Sequence, residues 1–368
     1  MIFLHYFLAG YFLLLFGYFG AIIFLFLRLK KDEPSNNVKE QPFISILVAA
    51  RNEEKNILSC LQAIEALSWP IGKLEVLIGN DQSTDETENI IRNFIKDKNH
   101  FKLFQIQHPL GLARAKANVL GQLAKNAKGD FFFITDADVR VPQKWIQGLL
   151  SNYNENTGIV SGVTYTRGNN LFHYCQNIDW IYAFGMIKTV SDHSIPVTAV
   201  GNNMMISRSA YESTGGYENI SFSVTEDLQL FLETLKCGWI YKNLMSADCL
   251  AETNPIDSLS KLFSQRKRWM QGAVRLPKIL LLFLLLQAIF IPMIAITISL
   301  SPFWGIVLWV IKIGMQQCFI VFSFKKIGKK YDFIKGFIPF EIYSGLLSII
   351  VLILYFIPTR VHWKGRKY

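Results

Sequence analysis

Residues 131–138 read FFFITDAD, an uninterrupted apolar run that ends in two aspartates with one alanine between them. A short run of this kind, Phe131–Thr135, is what a strand covered on both faces looks like, and such strands belong to parallel sheets packed between helices. The same kind of segment recurs upstream at Phe43–Ala50 (FISILVAA), Leu74–Gly79 (LEVLIG) and Lys102–Gln107. Between them lie amphipathic stretches expected to be helical: Glu53–Leu67, Asp85–Lys96 and Leu112–Asn126. Strand–helix alternation with near-continuous apolar strands predicts an α/β fold built on a parallel sheet. Ligands of such sheets bind beyond the carboxyl ends of the strands. Acidic residues at those ends are therefore the first candidates for function. No GxxxxGK[ST] loop occurs in the chain, and no GxGxxG follows the first strand. A P-loop NTPase and a dinucleotide-binding domain both lose their main support.

Three acidic clusters occupy the selected places. Asn80-Asp81-Gln82-Ser83-Thr84-Asp85 follows the second strand, Asp136-Ala137-Asp138 the fourth, and Thr225-Glu226-Asp227 opens a helix reading TEDLQLFLETLKCG. Each also has a plain structural explanation. Ser83, Thr84 or Asp85 could cap the helix start, and Asp227 could complement a helix N-terminus. Two carboxylates bracketing one residue nevertheless suit a hard divalent cation. Mg²⁺ takes one or two carboxylates and fills its remaining positions with phosphate oxygens and water. At Asp136 and Asp138 this chemistry points to metal-assisted displacement at a nucleoside diphosphate.

A fourth element, Gln265-Arg266-Lys267-Arg268-Trp269, lies within Leu259–Leu276, where basic and apolar residues alternate at helical spacing. Taken alone it reads as an interfacial amphipathic helix contacting anionic lipid.

Apolar blocks flank this central region. Residues 1–27 contain no Asp, Glu, Lys or Arg, and Arg28, Lys30 and Lys31 follow directly. About 20 apolar residues suffice to cross the hydrocarbon core, so the segment is expected to be a retained anchor. A cleaved signal would carry its positive charge first. The charges after it place the following residues in the cytoplasm. Residues 279–311 are again uncharged. With Ser301 and Pro302 as a break, they predict spans near 279–300 and 303–324, returned to the cytoplasm by Lys325, Lys326, Lys329 and Lys330. The last apolar run, 337–358, either crosses or is re-entrant. Arg360, Lys364, Arg366 and Lys367 behind it argue for an inside tail, and a crossing would put that tail outside. Lys312 and Glu341 lie inside these runs. Buried ionisable groups there are costly and often functional. The plainer expectation has Lys312 facing other helices and Glu341 near the interface.

Half the residues are hydrophobic and 18% are charged, a balance that excludes intrinsic disorder. The five cysteines form no CxxC pair, so no disulfide framework or cysteine metal site is expected. The net charge of +10 gathers largely at membrane borders, where positive-inside placement accounts for it, and nucleic acid is not an expected partner.

The order Ala50-Arg51-Asn52-Glu53-Glu54, Asn80-Asp81, Asp136-Ala137-Asp138, Thr225-Glu226-Asp227 and Gln265-x-x-Arg268-Trp269 resembles the membrane-integrated family 2 glycosyltransferases. Hyaluronan, chitin and cellulose synthases and ceramide glucosyltransferase share this plan. The resemblance implies a GT-A (Rossmann-like) cytosolic domain with one N-terminal and about three C-terminal transmembrane helices. By this plan residues 1–31 are the anchor, 41–256 the transferase domain, 257–276 the amphipathic QxxRW helix and 277–368 the membrane region. The resemblance also assigns roles. Ala50, Glu53 and Asp81 would contact the nucleotide, Lys116 would approach the diphosphate, and Asp136 and Asp138 would hold Mg²⁺ or Mn²⁺. Asp227 would be the general base with Glu226 beside it. Gln265, Arg268 and Trp269 would cover the acceptor end and the leaving nucleoside diphosphate. Asn202, within Gly201–Met205, and the later Gly215-Gly216-Tyr217 would help form the acceptor pocket, although the paired glycines are equally ordinary turn residues. Asn80 departs from the family, which usually has aspartate there.

The implied activity is inverting transfer from a nucleotide sugar, a UDP-sugar being favoured, to a membrane-associated acceptor, expected to be a lipid, at the cytosolic face of the inner membrane. A processive polysaccharide synthase is the alternative within the enzyme class. A non-catalytic nucleotide-binding scaffold would be expected to carry a damaged motif, and a transporter would need more spans.

Overall fold

The computed structural model describes residues 2–29, 41–273, 275–356, 362–363 and 366–367. Lys30, Lys31, Arg360 and Lys364, on which the reading of orientation partly rested, lie outside the described residues. Helix α1 (Ile2–Leu27) comes first, and the chain then alternates β1 (Ile44–Ala50), α2 (Ile57–Glu65), β2 (Leu74–Asn80), α3 (Thr87–Ile95), β3 (Phe101–Gln105), α4 (Ala115–Asn126) and β4 (Phe131–Asp136). All four strands expected from the sequence are present within one or two residues. The three helices start two to four residues later than expected.

The four strands pair in parallel in the order β3-β2-β1-β4. Successive side chains on a strand point to opposite faces, and the two cores divide accordingly. Ile44, Ile46 and Val48 pack with Phe133 on the face covered by α2. Leu47, Leu77, Phe132 and Ile134 pack on the face covered by α4. Burying each such side chain stabilises the fold by about 1.5–3 kcal/mol relative to exposure.

Beyond β4 the sheet stops being parallel. The chain continues through β5 (Val139–Arg140), α5 (Trp145–Leu150), β6 (Thr157–Ser161), β7 (Val163–Thr166) and α6 (Leu171–Ser191) to β8 (Asn203–Ser207). Strand β8 runs antiparallel to β4, pairing Thr135 with Asn203 and Phe131 with Ser207. The expectation of a parallel sheet therefore holds only for its first four strands. The reason is positional: the chain re-enters the sheet at the end where β4 leaves, with Thr135 Oγ1 donating to the Asn202 carbonyl at 3.0 Å, and can only run back. Helices α7 (Arg208–Ser213) and α8 (Glu226–Lys236) follow, then β9 (Ile240–Asn243) and β10 (Leu250–Thr253). β6 and β9 complete a seven-stranded mixed sheet, and β5, β10 and β7 form a second, three-stranded one.

The remaining helices are α9 (Leu259–Ala273), α10 (Lys278–Ala288), α11 (Phe290–Leu300), α12 (Pro302–Lys326) and α13 (Phe333–Phe356). α1, α12 and residues 333–353 of α13 are each long and apolar enough to cross a membrane. The span expected near 279–300 is instead the pair α10–α11, bent by 47°. Pro292 explains the break, since its ring has no N–H to bond and clashes with the carbonyl four residues earlier, that of Ala288. Lys312 and Glu341 are both buried and face each other, Nζ to Oε2 at 2.6 Å, with Trp309 Nε1 donating to the other carboxylate oxygen at 3.1 Å. Glu341 is thus the helix-to-helix partner of Lys312. The sheet unit is fastened to these helices by α6, whose Ile178 and Ile181 share a core with Phe26 of α1, Phe319 of α12 and Phe340 of α13.

Candidate active site

The carboxyl ends of β1, β2 and β4 lie side by side because the register sets Ala50 against Asn80 and Ala49 against Asp136. Two loops leave this edge and lock together. Asp81 N–H donates to the Ala50 carbonyl at 2.9 Å. Asn52 N–H donates to Ser83 Oγ, Glu53 N–H to Thr87 Oγ1 and Glu54 N–H to Asp85 Oδ2, while Thr84 N–H returns a bond to Asn52 Oδ1. Arg51 donates to the Asp81 carbonyl at 2.5 Å and stands 4.0 Å from its carboxylate. Glu53 and Asp81 are both buried at the junction. Asn80 is spent within the loop, bonded to Glu88, Gln105 and Ser83 N–H. Asp85 likewise braces the start of α3 through Thr87 at 2.6 Å. Burial would raise its carboxyl, but the bonds from Thr87 and Glu54 more than reverse this and hold it below the ordinary range. Asp85 thus flanks the helix start, one residue before the cap position Glu86.

Lys116, in the first turn of α4, sits at the centre of the acidic group. Its ammonium is 2.6 Å from Asp136 and 3.0 Å from Glu226, and it also donates to the Gly201 carbonyl at 3.3 Å. Burial alone would depress this lysine, but Asp136, Glu226 and Asp227 together hold it above its ordinary value. The preceding Ala115 has φ +50°, a backbone conformation that costs a residue with a Cβ. Asn52 and Gln82, in the two interlocked loops, have φ of +52° and +54°. Such conformations cluster at functional sites.

Asp227 lies beside Glu226. Its Oδ2 accepts from Gly201 N–H at 3.0 Å and its Oδ1 from Leu228 N–H at 2.8 Å. A Cβ at position 201 would come within 2.6 Å of the Asp227 side chain, so glycine is required for this approach. Burial pushes the Asp227 carboxyl up, and the Glu226 carboxylate adds to that. Lys116 and the two N–H bonds oppose the shift without cancelling it.

Asp136 and Asp138 sit at the end of β4 and just after it, and their carbonyls are held by Cys60 Sγ at 3.5 Å and Thr253 Oγ1 at 3.3 Å. No three His, Cys, Asp or Glu side chains form a complete protein metal cage among the described residues. Two carboxylates one residue apart do fit a hard divalent cation that takes its other ligands from a diphosphate and water. Asp136 is a third exposed and already carries a cationic contact, Lys116.

The QxxRW helix reaches the same place. Arg268 lines one small cavity with Arg114, Lys116, Phe222 and Glu226. The Gln265 Oε1 atom is buried and has no hydrogen-bond partner among the described residues. Trp269 is packed edge-on to Trp180 of α6 at 5.3 Å and lies under the Arg266 guanidinium at 4.2 Å. Arg266 in turn bonds Asp179 at 2.5 Å. Asn202 accepts from Thr164 Oγ1 at 2.9 Å, while Asn203 is consumed in the core by Trp145, Val163 and Cys249. Gly215 and Gly216 have φ of +82° and +70°, the conformations turn glycines supply.

Lys116, Asp136, Glu226, Asp227 and Arg268 are therefore brought together, with Ala50, Glu53 and Asp81 on the adjoining strand ends and Gln265 and Trp269 farther along α9. Arg114, Phe222 and the Asp179–Arg266 pair were not expected. Arg114 was available in the sequence as a second basic residue two positions before Lys116.

The mannosyltransferase PcManGT from Pyrobaculum calidifontis, solved in complex with GDP-Man and Mn²⁺, has the same fold: TM-score 0.60, 16% identity, 95% of this chain and 98% of that one covered. "Probable glycosyltransferase YdaM" of Bacillus subtilis is 29% identical over 250 residues, 64% of this chain and 56% of that protein. The poly-beta-1,6-N-acetyl-D-glucosamine synthase of Staphylococcus aureus is 29% identical over 261 residues, 69% and 61% of the two chains. The chain thus spans less than two thirds of the length of these curated relatives. A family model described as "Glycosyl transferase family 21" matches residues 11–368. With that match running from α1 through the acidic site to the C-terminal helices, this chain belongs to glycosyl transferase family 21.

Proposed function

We propose that the chain moves a sugar from a nucleoside diphosphate sugar to the hydroxyl of a membrane-associated, lipid acceptor, with inversion at the anomeric carbon. The observation that carries this reading is the Lys116 ammonium bridging Asp136 and Glu226, with Asp227 oriented beside them by two backbone N–H groups. This arrangement supports reading Lys116 as the cation for the diphosphate and Asp227 as the general base.

The interlocked loops at Ala50–Glu53 and Asp81 hold the nucleoside. Lys116, Arg114 and Arg268 face the diphosphate and stabilise the charge that develops as it departs, by preorganised electrostatics. Asp136 and Asp138 would hold Mg²⁺ or Mn²⁺, which supplies further neutralisation of the leaving group when bound. Asp227 takes the proton from the acceptor hydroxyl as the oxygen attacks from the side opposite the leaving group. General-base help of this kind contributes about 10²–10⁴-fold. Asn202, Gln265 and Trp269 lie on the acceptor side. A lipid acceptor fits the placement of the site, since α9 leads directly into the apolar α10 and α6 packs on α1, α12 and α13. Positive charge after α1 and α12 favours a cytoplasmic catalytic unit. That unit corresponds to residues 41–256, flanked by the anchor at 1–31 and the membrane region at 277–368.

A UDP-sugar is the first donor to test, with GDP-sugars beside it because PcManGT was solved with GDP-Man. A processive reading has one point in favour, the polymer synthase among the relatives. Three spans, or four if the bent pair counts as one, favour single transfer over a polymer channel.

The test is sugar transfer by the protein in nanodiscs with Mg²⁺ or Mn²⁺, labelled UDP- and GDP-sugars and a total lipid extract. Label in a lipid of discrete mass is the expected result. A ladder of sizes would establish the processive reading, and nucleotide binding without transfer to any acceptor would contradict both.

A further inference from the structure

A second cavity, of about 380 Å³, opens between the three-stranded sheet and the end of α12. Its size falls within the roughly 300–1,000 Å³ typical of small-ligand sites. It shares no lining residue with the cavity beside Lys116. Arg140 of β5, Tyr165 of β7 and Glu252 of β10 form one wall, and Gly328 and Lys329, just past α12, form the other.

The charges on these walls do not balance. Glu252 is fully engaged: Oε1 accepts from Arg140 at 2.7 and 3.1 Å, and Oε2 accepts from the Tyr165 hydroxyl at 2.5 Å with Arg167 at 3.7 Å. Burial alone would raise its carboxyl, but these partners hold it below the ordinary range, so it stays ionised. The Lys329 ammonium stands 5.0 Å above the Tyr165 ring. Among the lining residues Arg140 and Lys329 thus set two cations against one carboxylate in a concave wall, a net positive balance that concentrates anions.

Position supplies the second argument. Lys329 directly follows an apolar helix long enough to span, and Lys325, Lys326 and Lys330 lie around the same turn. A cavity beside the charged end of such a helix is where basic pockets take anionic lipids. Leu250 and Ile327 give the cavity an apolar margin.

We propose that this cleft binds a phosphate group at the membrane surface, supplied by an anionic phospholipid headgroup or by free phosphate. The site shares no lining residue with the cavity beside Lys116, and its test reads binding alone.

The full chain in detergent is offered equal amounts of phosphatidylglycerol and phosphatidylcholine, and retained lipid is read by native mass spectrometry. Phosphatidylglycerol should be preferred by about fivefold or more, the effect of one lysine near a charged surface. Lys329→Gln should remove most of that preference, whereas Lys330→Gln, on the same turn but outside the cavity lining, should leave it intact. In a second arm inorganic phosphate is added and the melting temperature followed. A shift in the wild type that Lys329→Gln abolishes, without selective lipid retention, assigns the site to free phosphate. Equal lipid retention by wild type and Lys329→Gln with no phosphate-induced shift would overturn the proposal. So would equal losses in the two lysine variants, which would reduce the effect to general surface charge.

Discussion

Asp227 draws opposite demands from its surroundings. Burial and Glu226 favour its protonated form, and Lys116 with two N–H groups favours the carboxylate. Only the carboxylate can accept a proton. With its pKa raised, the working form is lost as pH falls through a value above the ordinary aspartate range of about 3.9. The acid limb of kcat/KM should therefore lie above that range, and Glu226→Gln should move it to lower pH by removing a like charge. A limb at or below the ordinary value would contradict the assignment of the base. Ala115 gives a second test at this scale. Its positive φ costs about 1–2 kcal/mol in a residue with a Cβ, so Ala115→Gly should match or exceed the wild type in thermal unfolding. A clear loss of stability would show that the alanine methyl matters more than the backbone angle.

Among the elements, the parallel half of the sheet was legible because its signal is local. An apolar run such as Phe131–Thr135 bounded by polar residues admits few other structures, and the chemistry follows at each strand end. What was not legible depends on contacts distant in sequence. The direction of β8 is fixed by where the chain returns to β4, and α6 has no distinctive local pattern because it buries one side against the sheet unit and another against membrane helices. Ser301-Pro302 does separate α11 from α12, as the sequence indicates, and the further break between α10 and α11 was readable at Pro292 in the same run. In the site, ordered motifs located Asp136, Asp227 and Arg268, whereas the Asp179–Arg266 pair joins helices 87 residues apart and left no sequence signal. Glu75 was missed for a similar reason. This carboxylate, buried at the amino end of β2, joins Ser45 at 2.7 Å, Lys128 N–H at 2.5 Å and Lys102 at 3.1 Å. Burial would raise it, but these partners hold it below the ordinary range. A depressed carboxyl contributes stability that is present above its unfolded pKa and lost as pH falls through the folded one. Glu75→Gln should cost about 1–3 kcal/mol at neutral pH, and its deficit against the wild type should shrink below about pH 4.3. A deficit independent of pH in denaturation of the full chain would mean that packing, not charge, is responsible.

Across the whole molecule, the sheet unit is joined to the apolar helices through a shared core. α6 and α9 are shared between the two, and the Lys312–Glu341 pair ties α12 to α13 beneath them. Removing one member strands the other, at about 3–5 kcal/mol. Lys312→Met should accordingly lower the melting temperature in nanodiscs. Adding Glu341→Gln, which still offers Trp309 an acceptor, should restore most of the loss. A single variant as stable as the wild type would show that the pair is solvated. The assembly of base, cation and strand-end loops has one central consequence, which single-turnover transfer from a labelled nucleotide sugar in nanodiscs measures most directly. Asp227→Asn should still bind the donor and fold as the wild type does, but should transfer sugar at least about 10²-fold more slowly. Transfer at the wild-type rate would contradict the account.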